Sequence, residues 1–266
     1  MDPANRECPA CLYSGAFYLY VMKDNFSRQA AVYSKYRPQY PRELFDFILQ
    51  QVKERKVAWD CGTGNGQAAK ELAPYFDKVY ATDISQKQLD EAVPVDNVFY
   101  SLHPAESTNL NNNSIDLITV SQALHWFNFE RFYTEVKRVA KQDACIAVWM
   151  YSLLRISKNI DLIIEDYHFG TLQQYWDVER KYVDENYAGI PFPFDELKTA
   201  AFAIEYYWTL ADLEGYLNTW SALQKFISVN KYSPVQKVIQ LIKPHWFAER
   251  MKIVFPVHLQ TGLIRK

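Results

Sequence analysis

The sequence predicts an α/β fold in which a mostly parallel sheet of seven strands is covered by helices on both faces. Short, nearly continuous apolar runs alternate with segments of helical periodicity from residue 41 to residue 153. Strands that are buried on both faces have this pattern, because the helices of a parallel sheet pack on either side of it. With 266 residues, 49% of them hydrophobic, the chain is long enough for one such domain and too apolar to be disordered.

The alternating core supplies five strands and four helices. The first helix opens with Pro41, which is favoured in a first turn, and it places Leu44, Phe45 and Ile48 on one face. Short apolar runs predict strands over 56–62, 78–85, 97–103, 115–123 and 144–154. The remaining helices are expected over 66–76, 85–93 and 129–141.

The second half of the chain departs from this alternation. Residues 155–200 are rich in Tyr, Trp and acids and are expected to form a helical cap inserted into the sheet. Residues 201–266 are expected to complete the sheet with strands over 201–208 and 251–264 and with helices over 210–227 and 233–246. Pro256 marks the last strand as an edge or a bulge.

Composition excludes several classes of function. The 29 basic and 31 acidic residues nearly cancel, and no basic cluster marks a nucleic-acid partner. The apolar stretch 10–22 is too short to span a bilayer and has no basic segment before it, so we expect neither a membrane span nor a signal peptide. Four cysteines favour a reducing cytoplasm, and the pair Cys8 and Cys11 has no second pair to complete a metal site.

A glycine-rich turn follows the first strand in the segment VAWDCGTGNGQ, residues 57–67. A strand, such a turn and a helix N-terminus together expose backbone amides where no Cβ obstructs a ligand, which favours a nucleotide-like molecule. Gly62 and Gly64 fit the dinucleotide fingerprint, but Gln67 occupies the place of its third glycine. The acid Asp60 beside the turn disfavours a pyrophosphate and suits a ligand that carries positive charge.

This D-x-G-x-G-x-G turn resembles motif I of the class I S-adenosylmethionine-dependent methyltransferases, which have a Rossmann-like fold. The resemblance implies S-adenosylmethionine as the cofactor, whose amino group and sulfonium are both positive. It also implies a carboxylate at the tip of the second strand that accepts hydrogen bonds from the ribose hydroxyls, a role that falls to Asp83. The cofactor-binding residues expected from this turn and the second strand are Asp60, Gly62, Thr63, Gly64, Gly66, Asp83 and Ile84.

Further segments of residues 23–266 resemble the same family. HPAES resembles the adenine border and points to Ala105 and Glu106, and NSIDLITVSQALHWF resembles the type 11 subgroup, with Ser121 and Gln122 leaving the fourth strand toward the cofactor. YSKYRPQYP and LNTWSAL resemble the trans-aconitate-type methyltransferases of small molecules, which implies a carboxylate acceptor and a methyl ester product. Residues 1–22 lie outside the resemblance and are expected to be a poorly ordered extension, with Met22 as a plausible start.

Two residues are candidates for catalysis. Arg37 could grip a second carboxylate of the acceptor through its planar guanidinium, or it could be a surface residue before Pro38. His125 could be a general base for a hydroxyl or amine acceptor, or it could pack beside Trp126. An aromatic enclosure that excludes water from the acceptor is expected from Tyr33, Trp126, Trp149, Tyr151 and Trp220.

Two other functions are compatible with the same pattern. A nicotinamide-dependent oxidoreductase would use a similar sheet and an acid at the position of Asp83. A non-catalytic module would bind the cofactor and transfer nothing. For the enzyme we expect a small-molecule acceptor, no nucleic acid, membrane or metal partner, and a monomer or weak dimer.

Overall fold

The computed structural model describes residues 38–266, and these form one seven-stranded sheet with the order β3-β2-β1-β4-β5-β7-β6. The expected extension 1–22 and the candidates Tyr33 and Arg37 lie outside the described residues. The strands are β1 Val57–Cys61, β2 Lys78–Asp83, β3 Val98–Leu102, β4 Ile115–Ser121, β5 Ala140–Tyr151, β6 Asp195–Trp208 and β7 Met251–Ile264.

In the described chain, helices alternate with the first five strands except between β3 and β4, and further helices lie in the cap and between β6 and β7. The helix Phe129–Val139 has a side-chain N-cap: the Asn128 side chain accepts a hydrogen bond from the Arg131 amide at 3.1 Å. The α-helices are α1 Arg42–Leu49, α2 Gln67–Leu72, α3 Gln86–Asp90, α4 Phe129–Val139, α5 Lys158–Glu165, α6 Arg180–Asp184, α7 Leu210–Asn218, α8 Ser221–Asn230 and α9 Val235–Ile242. A π-helix, Asp166–Thr171, directly follows α5.

The sheet has a parallel part and an antiparallel part. Strands β1 to β5 run parallel, whereas β7 pairs antiparallel with both β5 and β6. Because the carboxyl ends of parallel strands meet at one edge of the sheet, the segments that follow β1, β2, β4 and β5 converge there. This edge carries the candidate site.

Side chains alternate between two buried layers. In β1, Ala58 belongs to the core between the sheet and α1, α2 and α9, whereas Trp59 belongs to the core beneath α4. The same alternation recurs in β5, where Trp149 faces the first layer and Met150 faces the second. The α/β fold with helices on both faces that the sequence predicts is therefore confirmed.

Strand β6 is longer than the sequence indicates. It begins at Asp195 rather than at residue 201, so its first residues fall within the range 155–200 that was expected to be cap. Lys198 and Thr199 pair with Thr261 and Gln260 of β7. Strand β6 lies at the edge of the sheet and its first half is exposed, so polar residues are tolerated there and the apolar alternation that would reveal a strand is missing.

The expectation that Pro256 marks an edge strand or a bulge is wrong, because β7 lies between β5 and β6 and its register with β6 is continuous through Pro256. The Pro256 carbonyl accepts a hydrogen bond from the Ser152 amide at 2.9 Å, just beyond Tyr151, the last residue of β5. In an antiparallel strand the nitrogen and the carbonyl of one residue face the same neighbour. The proline nitrogen therefore faces the end of β5, where the ladder no longer needs a donor.

The helix expected over 210–227 is interrupted. Helix α7 ends at Asn218, and Trp220 has an extended backbone (φ −67°, ψ 127°) before α8 begins at Ser221. The Thr219 hydroxyl donates to the Tyr216 carbonyl at 2.6 Å, and a hydroxyl in that arrangement competes with the helical ladder. Among residues 38–266, no helix is long and apolar enough to cross a membrane.

Candidate functional site

The glycine turn joins the carboxyl end of β1 to α2. Gly62 and Gly66 have φ values of +67° and +82°, in the left-handed region that favours glycine. A Cβ on Gly62 would lie 2.7 Å from the Cβ of Ala123, and a Cβ on Gly66 would lie 2.8 Å from a ring carbon of Tyr100. Backbone strain and close neighbours therefore both exclude larger residues from this turn.

Asp60 lies beneath the turn and is fully buried. Its carboxylate accepts hydrogen bonds from the hydroxyls of Thr63 at 2.5 Å and Thr119 at 2.7 Å. Burial raises the pKa of Asp60 to about 6, although both hydroxyls act in the opposite direction. In the structure, Asp60 thus fixes Thr63 and the turn from the interior of the protein, and its side chain is not exposed at the carboxyl edge of the sheet.

Asp83 ends β2 and faces the glycine turn. One carboxylate oxygen accepts a hydrogen bond from the Gly64 amide at 2.8 Å, and the other accepts from the Ser85 amide at 2.9 Å. Both carboxylate oxygens therefore lie against backbone amides at the carboxyl edge of the sheet. Ile84, the next residue, is 37% exposed and offers an apolar surface beside the carboxylate.

The segment after β3 lies close to the start of α4. Ala105 is buried, and the Glu106 carboxylate accepts a hydrogen bond from the Asn128 amide at 2.8 Å. Glu106 therefore orients the N-terminus of α4 in the structure. Its predicted contact with the adenine remains a prediction.

The segment after β4 is tied to the end of β5. Ser121 pairs with Trp149, and the backbone of Gln122 is left-handed (φ +54°). The Gln122 amide donates to the Trp149 carbonyl and its side-chain oxygen accepts from the Tyr151 amide, both at 2.8 Å. This double contact fixes the chain at the strand tips, so the Gln122 side chain is oriented toward β5.

His125 is buried in a short 3₁₀ turn beside Trp126, with 4.8 Å between the ring centroids. Its Nδ1 lies 2.8 Å from the hydroxyl of Tyr187 in the cap. Burial and the nearby guanidinium of Arg180 lower the pKa of His125 to about 3. The geometry favours the packing role over the general base, because the ring is already hydrogen-bonded and its basicity is weak.

The described aromatic residues that were expected to enclose the acceptor do not share one site: Trp126 packs beside His125, and the others fall into two groups. Trp149 is fully buried edge-on against Tyr40, at 5.5 Å between centroids, and Tyr40 also lies 6.5 Å from Tyr151. The indole nitrogen of Trp149 has no hydrogen-bond partner within residues 38–266. Trp220 belongs to a second group in the cap, where it stacks on Tyr167 at 5.6 Å.

Comparison with known proteins adds to this geometry. A family model described as a methyltransferase domain matches residues 59–148. A Dictyostelium discoideum protein named as a methyltransferase is 38% identical over 208 residues, which cover 77% of this chain and 79% of that protein. This chain belongs to the class I S-adenosylmethionine-dependent methyltransferases.

Two further proteins resemble this methyltransferase. A Saccharomyces cerevisiae protein described as an S-adenosylmethionine-dependent methyltransferase is 27% identical over 171 residues, covering 61% of this chain and 58% of that protein. The structure of an Anaeromyxobacter dehalogenans protein described as a type II methyltransferase superposes with a TM-score of 0.79. Its sequence is 34% identical, and the match covers 86% of this chain and 98% of that one.

The residues at the strand tips fit S-adenosylmethionine, the cofactor of this methyltransferase. Gly62 and Gly66 leave no room for a Cβ, so the turn at the carboxyl end of β1 packs closely against Ala123 and Tyr100. The Asp83 carboxylate, an acceptor at the tip of β2, is of the chemical type that binds the hydroxyls of a ribose diol. Ionised Asp60 would supply a negative potential beneath a cation, acting through the turn rather than by direct contact.

Two polar residues of the methyltransferase cap were missed at the sequence level. Tyr167 and His168 are adjacent, both are buried, and both contact Trp220. The sequence feature that could have identified them is an adjacent Tyr-His pair in the aromatic and acidic segment 155–200. The sequence does not show that a π-turn directs both rings inward.

Proposed function

We propose that this methyltransferase transfers the methyl group of S-adenosylmethionine to a carboxylate of a small organic acid and so forms a methyl ester. The bound cofactor supplies a methyl group on a sulfonium, which leaves as a neutral thioether. A carboxylate oxygen is ionised at neutral pH, so the new carbon–oxygen bond forms without a proton transfer. The protein then has to orient the acceptor and exclude water.

One observation carries this proposal: the titratable side chains at the β1, β2 and β4 tips are already engaged. Asp60 accepts two hydrogen bonds, Asp83 accepts two, and His125 is bonded to Tyr187. Asp60 and His125 are buried, and burial shifts the pKa of each away from its ordinary value. A nucleophile that needs no base suits such an edge best.

The aromatic group formed by Tyr40, Trp149 and Tyr151 supports the same conclusion. These rings pack at the end of β5, beside the segment that leaves β4. Rings in this position would exclude water from the methyl group and could hold a methylsulfonium by cation–π contact. The unpartnered indole N–H of Trp149 would donate to an oxygen of the acceptor.

The test is incubation with cofactor labelled in the methyl group and a panel of di- and tricarboxylic acids, phenols and amines. We expect label in a base-labile ester of an acid and little transfer to phenols or amines. Transfer to a phenol or amine alone would refute the carboxylate acceptor. Cofactor binding without transfer to any member would favour the non-catalytic module.

We also propose a cytoplasmic location. Cys61 and Cys145 are buried free thiols, as expected for a protein of a reducing compartment. Fractionation of cells that express the tagged protein tests this, and recovery in the secreted fraction would contradict it.

A further inference from the structure

The π-helix Asp166–Thr171 lies within the cap and carries two buried rings that neither the cofactor site nor the proposed chemistry uses. Tyr167 is 1% exposed and His168 is fully buried. The π-helix is rare and often occurs as a local insertion at functional sites, where it redirects side chains. Here it turns two consecutive polar rings into the interior.

Both rings lie against the same indole. Tyr167 is stacked on Trp220 with 5.6 Å between centroids, and His168 meets Trp220 edge-on at 5.4 Å. Trp176 also packs against His168, at 4.7 Å, and against Trp220, at 5.6 Å. We call Tyr167, His168, Trp176 and Trp220 the Trp220 subsite.

The subsite contains two polar atoms without a hydrogen-bond partner among residues 38–266, the Tyr167 hydroxyl and Nδ1 of His168. A buried polar atom without a partner is costly, so native structures rarely keep one unless a ligand or water completes it. Two such atoms on adjacent residues beside one indole point to a ligand that supplies both partners.

Asp184 sets the state of His168. Nε2 of His168 lies 3.2 Å from the Asp184 carboxylate, which also accepts from Nε of Arg180 at 3.0 Å. Nε2 must therefore carry the proton, because a carboxylate accepts only. Burial lowers the pKa of His168, which keeps the ring neutral despite the nearby Asp184 carboxylate. Nδ1 is then an acceptor, and it needs a donor from the ligand.

We infer that the Trp220 subsite binds a hydroxyl group of the acceptor, which donates to Nδ1 of His168 and accepts from the Tyr167 hydroxyl. A hydroxyl is one donor and an acceptor, so it satisfies both atoms. A carboxylate has no proton to donate and would repel the lone pair of Nδ1. The subsite therefore binds a hydroxyl group and not the carboxylate that is methylated. This inference rests on the proposed function and narrows its substrate class to hydroxycarboxylic acids.

The first test needs no substrate and uses the thermal stability of the protein alone. Tyr167→Phe removes a hydroxyl that has no partner, so the Tm should rise by about 2–4 °C. Tyr133→Phe is the matched control, because its hydroxyl donates to the Pro191 carbonyl in the same cap. That variant should have a lower Tm. A Tm of Tyr167→Phe that falls as in the control would show a satisfied hydroxyl and overturn the inference.

The second test uses pairs of acids that differ by one hydroxyl, succinate with malate and tricarballylate with citrate, and labelled cofactor. The wild-type protein should show a KM about tenfold lower for the hydroxylated member of a pair that it methylates. His168→Gln keeps an amide donor for Asp184 but loses the acceptor at Nδ1, and it should abolish this preference. His168→Asn, which keeps a polar atom near Nδ1, should retain part of it.

A preference that survives His168→Gln, or equal KM values in the wild-type protein, would overturn the hydroxyl subsite while the ester chemistry stands. If the acids of the panel are not methylated at all, the proposed function fails, and the Tm comparison of Tyr167→Phe with Tyr133→Phe then decides on the subsite independently.

Discussion

The Asp83 carboxylate accepts a hydrogen bond from the Gly64 amide at 2.8 Å, and this contact joins the ends of the neighbouring parallel strands β1 and β2. The same carboxylate accepts from the Ser85 amide at the start of α3. One side chain thus fixes the glycine turn relative to the second strand before any ligand is bound. Such preorganisation lowers the ordering cost of binding.

Replacement of Asp83 by Ala is expected to reduce cofactor affinity at least a hundredfold, because the variant loses both the proposed acceptor for the ribose and the anchor of Gly64. The exposed Asp90→Ala on α3 is the control and should bind normally. Calorimetric titration with S-adenosylmethionine measures the affinity, and circular dichroism checks the fold. Unchanged affinity in Asp83→Ala would remove Asp83 from the site.

The raised pKa of Asp60 predicts a pH dependence. Because its pKa in the fold is about 6 rather than 3.8, the stability that Asp60 contributes is complete below about pH 3.8 and is lost as the pH rises through 6. The unfolding free energy of the wild-type protein, measured relative to Asp60→Asn in urea without cofactor, should therefore fall by about 1–2 kcal/mol between about pH 5 and pH 7.5.

Cofactor binding should change with pH in the opposite direction. A cationic ligand favours ionised Asp60, so affinity should rise up to about tenfold per unit as the pH approaches 6 from below and should level off above it. Asp60→Asn should bind more weakly at neutral pH and show a flat profile. A wild-type Kd that is constant from about pH 5 to pH 7.5 would show that ionisation of Asp60 does not contribute to cofactor affinity.

Gly62→Ala is expected to destabilise the protein by about 1–3 kcal/mol, because the left-handed backbone strains a side chain and the new Cβ meets that of Ala123. Cofactor binding should weaken in the same variant. Gly170→Ala is the control, since a Cβ there meets only Asp166, at 3.3 Å. Urea unfolding of both variants makes the comparison, and equal losses would argue against a special role for the turn.

His125→Asn should leave kcat within about threefold of the wild-type value, because Asn keeps a polar atom near Nδ1 for Tyr187 but cannot act as a base. A general base would contribute about a hundredfold or more. The measurement is the rate of label transfer across the pH range. His125→Leu should in addition lose stability, because it leaves the Tyr187 hydroxyl unpaired.

Arg37→Ala should raise the KM of a dicarboxylic acceptor and leave the Kd of the cofactor unchanged, because a guanidinium binds the second carboxylate in a bidentate manner. Arg42→Ala, a change to an exposed arginine of α1, provides the control. Steady-state kinetics with labelled cofactor separate the two effects, and normal acceptor kinetics in Arg37→Ala would contradict the assignment.

The positions of the glycine turn and of Asp83 at neighbouring strand ends could be predicted from the sequence because their signals are local. Gly62, Gly64 and Gly66 lie within five residues, and Asp83 ends the next apolar run. The orientation of Asp60 could not be predicted, since it depends on a hydroxyl from Thr119 in a strand far along the chain. A motif gives the position of a side chain in the chain, whereas its direction depends on which strands become neighbours.

The acceptor side was less predictable for the same reason. Trp149 and Trp220 were expected in one enclosure, but the structure places them in different aromatic groups, because the break after Asn218 turns α8 toward the cap. The position of β7 between β5 and β6 also depends on pairing between distant residues. Considered without that pairing, Pro256 predicts an edge strand.

The interior position of β7 has a consequence for how the protein is made. Strand β5 is complete at residue 151, but its second neighbour ends at Ile264. On the ribosome, one edge of β5 must therefore stay unpaired until more than a hundred further residues have emerged, and β6 must also wait for β7. During that interval the nascent chain exposes unpaired strand edges, which promote aggregation. We expect the nascent chain to depend on chaperones that cover these edges until β7 has been synthesised.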